Sequence, residues 1–480
     1  MIPEISFSSE LSNNINAAFL IDKKSNLSHF NLSKTENKFL KDHLSGSKKS
    51  VDINSYDHWS FFRIIEKEKT IWQSKENLRK AGSKLQSTLL ELEESEIQLY
   101  ESIGNEDFLL AFAEGLILSH YKFEKYITDE KKKKKGLKKI IIVSDNINKK
   151  KWEQLKHISN SVYHSRNLVN EPVSSLNAQQ LSSEFERMGK DAGFTVKVFD
   201  KKKITELKMG GLLAVNMGSV DPPTFTIMEW KPKRFINDNP LVLVGKGVVY
   251  DSGGLSLKPT SDSMDYMKCD MSGGAAVAGA IYAAAKSKLP IHLVGLVPAT
   301  DNRPSGNAYA PGDIIKMMDG STVEMLNADA EGRLILADAL CYAKKFDPML
   351  VIDLATLTGS AGAAVGRVAT VAFSKDADEW YSSLEQSGYE TCERLVKFPL
   401  WDDYAEMIES KIADVKNVGG KYAGAITAAK FLERFTDYPW IHLDIAGPAF
   451  VQSKDSYRGI GGTGVGVRLL VEFFHHIICK

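Results

Sequence analysis

A two-domain α/β protein is the fold that this sequence predicts, and three observations carry the expectation. The chain has 480 residues, too many for one ordinary hydrophobic core. Continuous apolar runs of strand length at 241–244, 291–297, 350–354 and 368–373 alternate with helical stretches at 273–288 and 334–345. Strands buried on both faces read this way, and their alternation with helices builds a mostly parallel sheet flanked by helices. Glycine use is uneven, with seven of 35 before Met209, so the tight loops belong to the C-terminal part. The expected division is a smaller N-terminal α/β domain over residues 1–160 and a larger C-terminal domain, carrying the chemistry, over 161–480.

Taken in order, the first third is lysine-rich. Helical periodicity covers 70–94 and 107–126, and 139–144 is a short strand. No catalytic constellation occurs there. Asp129 and Glu130 precede the run Lys131 to Lys135, which cannot pack inside and reads as a solvated loop. No aromatic residue is interleaved for base stacking, which argues against nucleic acid as a partner. Beyond residue 160, Asn170 and Pro172 mark a turn, 178–192 reads as a helix, and 194–199 alternates as a strand.

Composition narrows the class. Hydrophobic residues at 43% and charged residues at 25% describe a globular protein. Sixty-one basic residues balance 61 acidic ones, so no global charge draws the chain to nucleic acid or an anionic membrane. Cys269, Cys341, Cys392 and Cys479 show no C-x-x-C spacing, which fits a reducing compartment. Residues 1–10 lack the pattern of a secretory signal, and the stretch 275–285 is too short to span a bilayer. The expectation is a cytoplasmic protein with no membrane partner.

Two glycine-rich stretches concentrate the chemistry. Gly245-Lys246-Gly247 leads through Asp251-Ser252-Gly253-Gly254 to Lys258, with Met267-Lys268-Cys269-Asp270 following; the second stretch is Asn327-Ala328-Asp329-Ala330-Glu331-Gly332-Arg333-Leu334. Taken singly, Asp251 and Asp270 read equally as turn or helix-cap residues. Asp329, Glu331 and Arg333 recur at every second position, and Gly332 disfavours a helix; if this segment is extended, all three side chains project to one side. Four carboxylates suit hard or borderline divalent cations, and two ions close together need bridging carboxylates. Neither stretch contains histidine; His292 lies in an apolar run and reads as a core residue or as one that supports a ligand from behind. Lys246 is either an ion-pair partner or, with its pKa lowered beside dications, a metal ligand. Lys258 can face negative charge developing on a substrate oxygen, and Arg333 can do the same or hold a small oxyanion.

At these residues the sequence resembles the leucyl aminopeptidases, the M17 family of two-metal peptidases. The family's N-T-D-A-E-G-R-L octapeptide corresponds to Asn327 to Leu334, and its G-K-G-x-x-[FY]-D-S-G-G-x-x-x-K segment to Gly245 to Lys258; Asp353 to Gly359 and Asp444 to Gly447 also match. The resemblance covers about residues 160–480. It implies that Asp251 and Glu331 bridge two metals, that Lys246 and Asp270 complete the tighter site, and that Asp329 completes the more exchangeable one. The implied ions are zinc or manganese, with cobalt and magnesium as alternatives. Lys258 would stabilise the oxyanion, and a bicarbonate at Arg333 would act as general base. Met267, Thr356, Leu357, Gly359, Ala446 and Ala449 would surround the first substrate side chain.

The implied activity is removal of leucine and other, mainly apolar, residues from peptides with a free N-terminus, by a homohexamer with its sites facing an interior cavity. Rival readings are a dipeptidase of Cys-Gly type and a nucleic-acid-binding protein with secondary peptidase activity. The chain departs from the family pattern at Ala328, usually threonine, and in the 258–270 loop, one residue longer around 261–263.

Overall fold

The computed structural model describes residues 2–479 apart from Asn31, Ser45, Ser47, Lys67 and Lys134, with only the backbone described at His29. Lys134, within the lysine run, therefore lies outside the described residues. The chain divides into two compact units, Met1–Asn160 with Lys454–Gly459, and Ser161–Ser453 with Ile460–Lys480.

In the first unit the strand order is Glu4–Ser8, Lys139–Val143, Glu96–Glu101, Ala17–Ile21, Trp59–Ile64, Ser50–Asn54, parallel except for the last pair. Helices Ile71–Glu91 and Glu106–His120 pack on each other through glycine. A Cβ on Gly115 would lie 1.9 Å from the Arg79 carbonyl oxygen, and one on Gly82 would lie 2.1 Å from that of Phe112. The second helix stops before the expected residue 126 because the backbone turns extended at Tyr121 (φ −55°, ψ 135°).

In the second unit, among the described residues, the main sheet has nine strands. Its centre is parallel: Trp440–Asp444, Leu350–Ala355, Leu241–Gly245 and Leu293–Asn302 lie side by side in that order. Antiparallel neighbours flank it, Thr370–Lys375 on one side and Thr224–Trp230 on the other. Leu293–Asn302 outruns the apolar stretch expected as a strand, because its polar end pairs with Gly247–Asp251. The alanine-rich helix Ser272–Lys286 is buried along almost its whole length. It lies so close to the sheet that a Cβ on Gly273 would meet the Leu354 carbonyl oxygen at 1.9 Å. This contact sets the residues just before the helix at the carboxyl ends of the central strands, where ligands of such sheets collect.

Gly115→Ala is expected to force the two helices of the first unit apart. Overpacking of this kind costs about 1–3 kcal/mol, read as a lower denaturant midpoint without loss of helical circular dichroism in the native state.

Candidate metal centre

The chain breaks between two strands at Lys246 and resumes as Gly247–Asp251, which places Lys246 and Asp251 at strand ends. Lys246 is buried, and its ammonium lies 2.7 Å from Asp270 Oδ2 and 2.8 Å from Glu331 Oε1 while donating to the Thr356 carbonyl oxygen at 2.9 Å. Lys258 Nζ lies 2.9 Å from Asp251 Oδ2 and 2.5 Å from Asp329 Oδ1. One oxygen from each of Asp251, Asp329 and Glu331 falls within 4.8 Å of the others, a set able to hold a metal ion. All four acids and both lysines line one cavity of about 660 Å³.

The octapeptide is not extended. Glu331 opens the helix Glu331–Ala343, and Gly332 lies inside it. Burial of the whole helix outweighs glycine's intrinsic penalty of about 1 kcal/mol, and a carboxylate in the first turn is favoured by the helix dipole. Asp329 and Glu331 still converge on the cavity, whereas Arg333 does not reach it. Arg333 is buried and donates from Nη1 to the Asn417 carbonyl oxygen at 2.6 Å; it is not on the cavity wall. Gly332 is required for space: a Cβ there would come within 2.5 Å of Lys246 Cε and 2.7 Å of its Nζ.

Neutral polar groups complete the frame. Asn302, on the sheet, donates from one amide nitrogen to Asp251 Oδ1 (2.8 Å) and to the Ala328 carbonyl oxygen (2.9 Å), joining the two glycine-rich stretches. The Tyr309 hydroxyl donates to the same carbonyl at 2.8 Å. Gly253, at φ 83°, gives its N–H to Asp251 Oδ1 at 2.9 Å. Asp444 accepts from the Thr358 hydroxyl (2.7 Å) and from the backbone N–H of Leu357 (3.1 Å) and Ala446 (3.2 Å), so one carboxylate fixes two loops that line the cavity.

Electrostatics favour added cations. Burial, then Asp251 and Glu331, push Asp329 up to about 7. Burial raises Asp251 and Asp270 as well, and their acidic neighbours add to it. Glu331 is held low against burial by Lys246 and Lys258. The lysines in turn are held above their usual range, against burial, by the acids around them. Four carboxylates thus face two ammonium groups, and buried Glu331 Oε2 has no hydrogen-bond partner among the described residues. Hard oxygen donors with surplus negative charge fit divalent metal ions.

Of the residues expected around a substrate side chain, Met267, Thr356, Leu357, Gly359 and Ala446 line the cavity. Ala449 does not; it is buried, with its carbonyl oxygen accepting from the Thr463 backbone N–H at 3.0 Å, and Phe450 takes the wall instead. Asn302, Asn417 and Tyr266 did not stand out in the sequence. Asn302 sits where the strand outlasts its apolar run, so following the pairing of 293–302 would have found it.

Residues 163–471 match the catalytic domain of the cytosol aminopeptidase family, Peptidase_M17. The chain belongs to that family. A probable cytosol aminopeptidase of Chlorobaculum parvum is 55% identical over 314 residues, 64% of this chain and 61% of that protein. One from Clostridium perfringens is 43% identical, with 83% of both chains covered. The chain therefore spans about three-fifths of the length of the Chlorobaculum parvum relative, and the longer match to the Clostridium protein includes most of both sequences. Among solved structures, a point mutant of tomato leucine aminopeptidase superposes with a TM-score of 0.86 at 26% identity, covering 99% of this chain and 96% of that one. The bottromycin maturation enzyme BotP in complex with Mn gives 0.85 at 27% identity, covering 97% and 100%. The M17 match and the mostly parallel sheet agree with the fold and family expected from the motifs. Among the described residues no helix is long and apolar enough to cross a membrane.

Gly332→Ala is expected to push Lys246 out of its place between Asp270 and Glu331. Stability should fall by about 1–3 kcal/mol in denaturant titration, and divalent-metal binding, followed by calorimetry, should weaken.

Proposed function

We propose that this protein is a metal-dependent aminopeptidase that removes leucine and other, mainly apolar, residues from peptides with a free N-terminus. The observation that carries the reading is the cluster of four carboxylates, Asp251, Asp270, Asp329 and Glu331, whose ion pairs among the described residues are with Lys246 and Lys258. Asp251 and Glu331 would bridge two ions, Lys246 and Asp270 would complete one site, and Asp329 the other. Divalent ions, zinc or manganese with cobalt and magnesium as alternatives, supply Lewis acidity that polarises the scissile carbonyl and lowers the pKa of water. The Mn complex of BotP supports a divalent metal.

The chain's own groups account for the rest. Lys258, on the cavity wall and 14% exposed at its side chain, is placed to offset negative charge growing on the substrate carbonyl oxygen. Burial of Asp251, Asp270 and Glu331 strengthens the charge interactions among them and with Lys246. The buried Arg333 Nε has no hydrogen-bond partner among the described residues, which supports a small oxyanion such as bicarbonate close to it, and burial brings its pKa down to about 10. A homohexamer working in the cytoplasm is the assembly we propose, by likeness to the family.

Chelation should abolish hydrolysis of aminoacyl anilides, and added zinc, manganese or cobalt should restore it. A refolded, remetallated protein that cleaves only substrates with blocked amines would refute the reading. Glu331→Gln should leave fewer than two ions per chain by elemental analysis; full occupancy at unchanged affinity would remove its bridging role.

The pH dependence has a definite sign. Asp329 must lose a proton to bind a cation, and its pKa in the metal-free chain is pushed up to about 7. Affinity for the more weakly held ion should therefore rise with pH up to about 7 and level off above it, by up to about tenfold per pH unit. Calorimetric titration between pH 5.5 and 8.5 measures this.

A further inference from the structure

The cavity has a wall that the proposed chemistry does not use. The rings of Tyr266 and Phe450 stack with centroids 5.9 Å apart and planes 11° apart. Both are partly buried, and both line the cavity. Hydrogen bonds hold the loop that carries Tyr266. Its hydroxyl donates to the Asp262 carbonyl oxygen at 2.8 Å, the Tyr250 hydroxyl donates to that of Met264 at 3.0 Å, and the Met264 N–H to that of Pro259 at 3.0 Å. The aromatic surface is fixed before any ligand arrives.

Beside the side chains of Met267, Thr356, Leu357 and Ala446, four lining positions are glycine. Gly359, Gly362, Gly366 and Gly447 contribute no side chain to it. Gly447 packs on Gly366 so closely that a Cβ would lie 2.1 Å from its carbonyl oxygen, whereas a Cβ on Gly359 or Gly366 would meet nothing within 4 Å. Charge gives little selection. Apart from the four acids and two lysines of the metal centre, the charged lining residues are Asp262 and Arg367, of opposite sign. Discrimination then falls to shape and to the faces of the rings.

We propose that the Tyr266–Phe450 pair is the specificity wall for the first side chain of the substrate, and that it selects aromatic N-terminal residues over leucine. The inference rests on the aminopeptidase reading. A planar side chain laid against this preformed aromatic surface gains offset-stacked or edge-to-face attraction beyond area burial. An aliphatic side chain gains only the burial.

The test compares kcat/KM of the zinc- or manganese-loaded enzyme on phenylalanyl, leucyl and alanyl anilides. The wild-type chain should rank them phenylalanyl, leucyl, alanyl. Phe450→Ala should lower the phenylalanyl-to-alanyl ratio about tenfold, chiefly through KM, and Phe450→Tyr should keep it. Gly362→Leu, which puts bulk where the lining has no side chain, should depress phenylalanyl turnover more than alanyl turnover. A wild-type preference for leucyl over phenylalanyl, or a parallel fall on all three substrates in both Phe450→Ala and Gly362→Leu, overturns the inference and leaves the aminopeptidase reading intact. Absence of cleavage of every free-amine substrate by the loaded wild type overturns both.

Discussion

The structure of the catalytic unit depends on one buried ammonium group. Lys246 occupies the break between two strands, and its charge is matched by Asp270 before one helix and Glu331 at the start of another. Removing such a charge's partners, or the charge itself, leaves an uncompensated ion in a low-dielectric interior. That requirement ties the end of the central sheet to both helices, which is why glycines at 273 and 332 let backbone and the lysine stem approach so closely. The candidate metal centre is built on this joint.

Much of this was legible in the residues. The strand runs in the C-terminal part followed from continuous burial on both sheet faces, and the helix Ala178–Ala192 from its apolar period. The acids and lysines of the centre stood out because four carboxylates and two lysines next to glycines have few structural uses. What failed was conformation at the octapeptide. Alternation of Asp329, Glu331 and Arg333 looked like a strand, but the pattern is a turn followed by a helix start, and local propensity was overruled by packing around the helix. Arg333 was consequently assigned to a face it does not share.

Groups whose part is set by distant pairing were invisible for a different reason. Asn302 and Asn417 are unremarkable asparagines until sheet register and loop closure bring them to carbonyl groups far along the chain. Phe450 displaced Ala449 from the wall because the backbone at Ala449 is bound to Thr463, a constraint that no local pattern reveals. Residues that carry charge or metal chemistry announce themselves by type; residues that position them are defined by three-dimensional neighbours.

The carboxylate of Asp444 joins loops that follow two different central strands. It lies 198 positions after Lys246 in the chain. A chain emerging from the ribosome passes through a long interval in which the acids and lysines of the first stretches already exist but the carboxylate that joins the two loops does not. Long-range closures of this kind come late in folding. The cavity therefore lacks the acceptor shared by its two loops until synthesis has passed Asp444, so the acids and lysines are in the chain well before the walls around them can be tied together.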